Sequence, residues 1–176
     1  MNAFFLWLEA TALSTWVRES TSVFAFPAIL SVHAIGMGLA AGVNVAMAVR
    51  LLGFAPNVPL HEMRRFAPVM WTGFWLNTAS GLLLLLGYPT KALTNPVFYM
   101  KLSLIAVGMW LYLLMTKRLE EADPRVISAA LVEPTLKGSA YSRTTLIALA
   151  SLASWAGAVT TGRLLAYTAH RILATW

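Results

Sequence analysis

The chain has 176 residues, of which 59% are hydrophobic and 11% charged, and its mean hydropathy is +0.69. A water-soluble domain carries about a quarter charged residues, so these numbers exclude a soluble globular domain and a disordered chain alike and leave an integral membrane protein. The net charge of +6 is read against lipid, where Lys and Arg set topology, rather than as a sign of nucleic acid. Cysteine is absent, which removes disulfides, iron–sulfur clusters, thiolate metal sites and covalent haem attachment, while a noncovalent b-type haem stays allowed.

In chain order, residues 3–18 come first. Their apolar run holds Phe4, Phe5, Trp7, Leu8 and Trp16, but Glu9 interrupts it and Arg18 and Glu19 close it. It is too short to span and suits an amphipathic helix lying in the membrane interface. No basic stretch precedes it and no A-x-A site follows, so it does not read as a signal peptide. Four longer apolar stretches follow at about residues 23–52, 68–88, 96–115 and 144–167. Each reaches the roughly 20 residues that cross about 30 Å of hydrocarbon at 1.5 Å per residue. In lipid such spans must be helices, because open backbone groups find no partner there. The expectation is an all-α, four-helix membrane bundle forming one domain over residues 1–176. Its first linker should hold a turn from Ala55 to Pro59 and a short amphipathic piece from Leu60 to Phe66. Residues 117–143 are the one sizeable polar loop, and Arg118 to Ala130 could make a short surface helix broken by Pro124.

Arg50, Arg64 and Arg65 flank the first connection, and Lys117, Arg118, Arg125, Lys137 and Arg143 the third. These two loops share a side. The positive-inside rule puts them in the cytoplasm and both termini in the periplasm of a bacterial inner membrane.

Ionisable and polar residues inside spans are functional candidates by default. His33 is the one histidine deep in a span, about 15 Å in if that span starts at residue 23. Gly36 and Met37 follow at i+3 and i+4, and Gly38 and Gly42 make a G-x-x-x-G pair. Lys101 and Arg163 lie in the same half of the membrane, and Asn77 near the middle of its span. Glycines beside a histidine leave room for something flat. A haem would take His33 as axial ligand and metal ligand, with Lys101 and Arg163 neutralising its propionates. Asn77 would support the imidazole, and the second axial position falls to Met109, stays empty in five-coordinate iron, or is taken by His33 of a second subunit. A quinone, a lipid or an anion is the other kind of guest for the same residues. The purely structural alternative uses the same residues differently: His33 hydrogen-bonds Asn77, Ser80 or Thr160, the glycines let helices pack closely, and the cations reach headgroups. Trp75, Trp110 and Trp155 read as core, Ser151 and Ser154 as helix contacts. Glu9 and Glu19 point to Arg163 or Arg171 as partners. His61 and His170 read as interface histidines. No paired carboxylates, Ser/His/Asp set or P-loop is present.

Several short runs carry a resemblance. They are Trp16 to Ser20 (WVRES), Phe26 to Gly36 (FPAILSVHAIG), Arg50 to Gly53 (RLLG), Asn95 to Lys101 (NPVFYMK), Ser154 with Trp155, and Gly162 to Tyr167 (GRLLAY). Together they resemble an uncharacterised family of small four-helix bacterial inner-membrane proteins. More loosely, the layout and the Phe98 to Lys101 entry to the third span are similar to CopD-type and cytochrome b561-like membrane proteins. That resemblance implies b-type haem held by helix histidines, with His33 the matching residue here, and assigns Lys101 no role. The expected function is a membrane-embedded cofactor site holding heme b for electron transfer near the periplasmic face, with a periplasmic redox partner; a quinone is the second-ranked cofactor. The alternative is a non-enzymatic subunit, packed as a homo-oligomer or against other membrane chains.

Overall fold

A computed structural model describes residues 2–121 and 139–172. All regular structure among them is helical. In order come α1 (Asn2–Glu9), α2 (Ala12–Glu19), α3 (Phe26–Leu51), a 3-10 helix (Leu60–Phe66), α4 (Ala67–Gly87), α5 (Pro89–Leu93), α6 (Pro96–Glu121) and α7 (Ser139–Ile172). Four stretches are long and apolar enough to cross a membrane: Phe26–Leu51, Glu62–Gly87, Pro96–Lys117 and Arg143–Leu165. Helices α6 and α7 run past their apolar parts, since a helix can continue through good helix formers such as Lys117, Arg118 and Leu119. Most of the polar loop expected at residues 117–143, including Pro124, lies outside the described residues, as do the side chains of His61 and His170.

Helix ends follow local chemistry. Pro27, Pro68 and Pro96 sit in first turns, where a missing N–H costs nothing. Asn95 caps α6, its Oδ1 accepting from the Val97 N–H at 2.9 Å. Helix α3 ends in a Schellman motif: Gly53 has φ +97°, its N–H donates to the Arg50 carbonyl, and the Phe54 N–H donates to the Val49 carbonyl.

The N-terminal stretch forms two short helices where one was expected. The break is at Ala10 and Thr11, because the Thr11 hydroxyl donates to the Leu8 carbonyl at 2.8 Å and accepts from the Ser14 N–H at 3.4 Å, ending one helix and capping the next. Val17 of α2 is fully buried, close against Gly87 at the end of α4. Glu9 accepts from the Thr90 hydroxyl at 2.7 Å, and Glu19 pairs with Arg18 at 3.1 Å; of the partners expected for them, the side chain of Arg171 lies outside the described residues.

Helices α3 and α4 pack antiparallel along a long seam. Glycine makes it possible. A Cβ on Gly36 would lie 2.6 Å from the Asn77 backbone nitrogen, and one on Gly73 would lie 2.7 Å from that of Ala40. Helices α6 and α7 form the second antiparallel pair. There Gly108 receives the Trp155 indole, and the Ser154 hydroxyl donates to the Leu104 carbonyl at 2.7 Å. Helix α3 joins the pairs by packing on α7, while α4 and α6 share no comparable seam. The core lies between the pairs and includes Ala40, Met47, Met70, Met109, Tyr112 and Trp155.

Two packing expectations are overturned. Trp75 and Trp110 are 62% and 59% exposed, so only Trp155 of the three tryptophans is core. In a bilayer the outward face is as apolar as the inward one, so hydrophobicity does not say which way a ring turns. Gly38 and Gly42 face open space, with nothing within 4 Å of a Cβ at either position. Of the α3 glycines expected at helix contacts, Gly36 alone sits at one within the chain.

Candidate functional site

His33 lies seven residues after Phe26, about 10 Å along α3 rather than 15 Å, because the helix starts later than the apolar run. Its ring is half-buried against α4. Nδ1 is 3.0 Å from the Asn77 carbonyl oxygen and 3.2 Å from the Ser80 hydroxyl. Asn77 grips the other way too, its side-chain amide donating to the His33 carbonyl at 2.8 Å. Gly81 completes the bed: a Cβ there would lie 3.1 Å from the imidazole Cε1. Ser80 and Gly81 follow Asn77 by three and four residues, one helical turn, and so share its face.

On the other side stands Lys101. It lies five residues into α6, and its Nζ is 3.0 Å from His33 Nε2. The stem passes α7 beside Gly162, where a Cβ would meet Cε and Nζ at 3.7 Å. A lysine this near a helix end usually extends toward headgroups. This one reaches sideways to meet α3. The four long helices thus each place a residue at one level: His33, Asn77 with Ser80 and Gly81, Lys101, and Gly162.

The shortest contacts favour one tautomer, with the Asn77 amide nitrogen further off, at 3.3 Å from Nδ1 and 3.4 Å from Nε2. The Asn77 carbonyl is acceptor only, so Nδ1 carries a hydrogen and donates. Nε2 is then the lone-pair nitrogen and accepts from the Lys101 ammonium, which is donor only. With Lys101 as its ammonium, the pair carries one positive charge. Among the described residues no carboxylate is shown beside it: six of the seven Asp and Glu residues fall outside the four crossing stretches, and Glu62, at the very start of the second, pairs with Arg65. An ion so placed is costly in lipid unless something pairs with it.

The other expected site residues are placed as follows. Gly36 is buried under the α4 backbone, so the space beside His33 on that side is filled. Met37 is half-buried and packs on the core. Met109 is 9% exposed in the same core, eight residues and so about 12 Å along α6 from Lys101. Arg163 is exposed, one residue past Gly162. Thr160 donates to its own helix at the Ala156 carbonyl. No group of three or more His, Cys, Asp or Glu side chains suited to a metal occurs among the described residues.

A haem does not fit His33 as arranged. The Nδ1–H donating to a backbone carbonyl is the support that an Nε2 metal ligand commonly has. Nε2 itself, however, is held by Lys101, and Gly36 offers no room for a macrocycle. Glycines Gly81 and Gly162 admit the ring and the lysine stem; their signal in the sequence is a position one turn from Asn77 and one beside Arg163.

Compared with protein-family models, with curated proteins and with solved structures, the chain matches none.

Proposed function

We propose that this protein is a multi-pass bacterial inner-membrane protein, with its termini in the periplasm, that binds the polar head of a membrane-soluble quinone at the His33–Lys101 pair. The observation that carries this reading is Lys101 itself: a cation inside the bilayer, turned from the headgroups toward a neutral imidazole, with no acid beside it. His33 takes one of its three N–H groups. The others suit a carbonyl oxygen arriving from lipid on the side where α4 and α6 share no seam. A quinone offers that oxygen on an apolar body and supplies redox chemistry when bound. On this reading His33 positions Lys101, Asn77 and Ser80 hold His33 in its tautomer, and Gly81 and Gly162 keep the approach clear. Electron exchange with a periplasmic partner would follow from the site's closeness to that face.

The resemblance to haem-binding four-helix proteins supports a cofactor in this half of the membrane, but the engaged Nε2 favours quinone over haem. The architectural alternative draws support from the open Gly38 and Gly42 face, which a second copy or another chain would cover.

The test is co-purified quinone per chain, read by extraction from full-length protein in nanodiscs, together with an absorption spectrum. Wild type should retain quinone, and Lys101→Met should retain about tenfold less, the worth of one strong hydrogen bond at roughly 1.4 kcal/mol. Equal quinone in both proteins overturns the reading, and a Soret band lost in His33→Ala would replace it with haem.

A further inference from the structure

Lys101 is half-buried, five residues and so about 7–8 Å along α6 from Pro96. Its partner, His33, is a neutral ring that takes one N–H of the ammonium without discharging it. Among the described residues no carboxylate is shown beside it: Glu9 lies against Thr90, Glu19 against Arg18 and Glu62 against Arg65. Asn77, Ser80 and Gly81, the other groups around the ring, bring no charge. A quinone is neutral as well. With it bound, the charge in the span stays unbalanced, which lipid disfavours.

The ammonium is also reachable. Gly162 has no side chain where α7 passes it, and a Cβ there would already touch Lys101 Cε and Nζ at 3.7 Å. A carboxylate would take the two remaining N–H groups with its two oxygens, in charge-assisted bonds about twice as strong as those a neutral carbonyl accepts. The level of Lys101 selects the kind of anion. A phospholipid carries its phosphate behind a polar headgroup, and bringing that phosphate to this depth would draw headgroup and glycerol into hydrocarbon at a cost. A fatty acid has its charge at the bare end of a single chain, with nothing polar behind it to bury.

We infer that Lys101 also takes the carboxylate of a free long-chain fatty acid, and that this acid competes with quinone for the site. The competition rests on the quinone reading above; the carboxylate contact rests on Lys101, His33 and Gly162 alone. His33 positions the ammonium for either guest. The acid is the preferred one because it alone brings a balancing charge, and fatty acid released into the bilayer would therefore empty the site of quinone.

The test titrates oleate, or methyl oleate as its uncharged match, into full-length protein in nanodiscs at a pH alkaline enough to ionise the acid. Ligand bound per chain, over empty nanodiscs, and quinone retained per chain are both read. Wild type should bind oleate about tenfold or more tightly than the ester, the worth of one charge-assisted hydrogen bond, and should lose quinone as oleate fills. Lys101→Gln keeps an N–H for His33 but no charge, and should bring oleate down to the level of the ester. Gly162→Leu keeps the charge but crowds the ammonium; it should weaken oleate too, and it serves as the second variant if Lys101→Gln fails to fold. Equal binding of oleate and ester by wild type overturns the inference, and if quinone is retained the quinone reading survives that result. An undiminished preference for oleate in folded Lys101→Gln overturns it as well. So does oleate bound with the quinone undisturbed, since the acid then sits elsewhere. A preference for oleate that needs Lys101, in a chain that holds no quinone, supports the carboxylate contact and defeats the quinone reading together with the competition.

Discussion

Lys101 Nζ stands 3.0 Å from His33 Nε2, and the imidazole's other nitrogen donates to the Asn77 carbonyl 3.0 Å away. An amine on one helix and a ring on another therefore hold a single proton between them, inside a span, with the ring's orientation fixed from behind. The consequence is a defined tautomer: hydrogen on Nδ1, lone pair on Nε2.

That tautomer is directly readable. The chain has three histidines, so nitrogen-15 labelling of a His61→Gln, His170→Gln background leaves His33 alone. At neutral pH its Nδ1 should show the protonated shift and its Nε2 the unprotonated one. Lys101→Met should move the Nε2 resonance and leave Nδ1 bonded to Asn77. Finding the hydrogen on Nε2 instead would mean that the lysine does not face the ring as described.

Close approach of α3 and α4 depends on two glycines, and a third glycine nearby supplies the control. Gly36→Ala places a carbon 2.6 Å from the Asn77 backbone, and Gly73→Ala places one 2.7 Å from the Ala40 backbone. Backbone cannot rotate away as a side chain can, so each substitution should cost about 1–3 kcal/mol or more by overpacking. Gly38→Ala meets nothing and should leave stability unchanged or raise it through helix propensity. Unfolding of detergent-solubilised protein, followed by circular dichroism, separates these outcomes. Equal midpoints for all three variants would show that the seam is looser than the geometry requires.

Ser151 and Ser154 differ by three positions on α7 and should respond in opposite directions. The Ser154 hydroxyl donates to the Leu104 carbonyl of α6. Ser154→Ala should therefore lose about 0.6–2 kcal/mol, the range for hydrogen bonds between spanning helices. Ser151 is fully buried and its Oγ has no partner. Ser151→Ala removes an unpaired polar atom and should be neutral or stabilising. The same unfolding assay decides, and a loss at Ser151 matching that at Ser154 would contradict the assignment of partners.

Much of this was legible in the sequence, for a definite reason. Apolar length is a direct physical requirement of a span, so the four long helices and the turn before Leu60 follow from it. The candidate site was partly legible: His33, Asn77 and Lys101 stood out as polar residues in apolar surroundings, and these three do meet. Direction was not legible. A lipid-facing Trp75 and a core Trp155 look alike in a window of hydropathy, because solvent and core are equally oily here. Nor does spacing show which glycine is covered. The G-x-x-x-G pair at Gly38 and Gly42 drew attention, yet Gly36 and Gly73 carry the helix contact. Capping by Thr11, which splits the N-terminal stretch, is a single hydroxyl competing with an apolar pattern, and the pattern is the louder signal.

Arg50 offers a last test, where a buried cation shapes a loop. It ends α3 just before the Gly53 turn and is 5% exposed. Its Nε donates to the Val58 carbonyl at 2.6 Å and its Nη2 to the Pro56 carbonyl at 3.0 Å. These bonds fold residues 52–59 back onto the helix end, and the fork geometry suits them because guanidinium nitrogens are rigidly spaced. Arg50→Met removes both donors and leaves two carbonyls to find water, at a cost of about 2–4 kcal/mol for charge-assisted bonds. Arg50→Lys can satisfy one carbonyl at a time and should fall between. Release of the loop should appear as faster proteolysis within residues 53–59 and faster amide exchange at Val58, with the spans unaffected. If Arg50→Met is cleaved no faster than wild type, the turn at Gly53 and Ala55 holds the loop by itself, and the arginine is there for its charge.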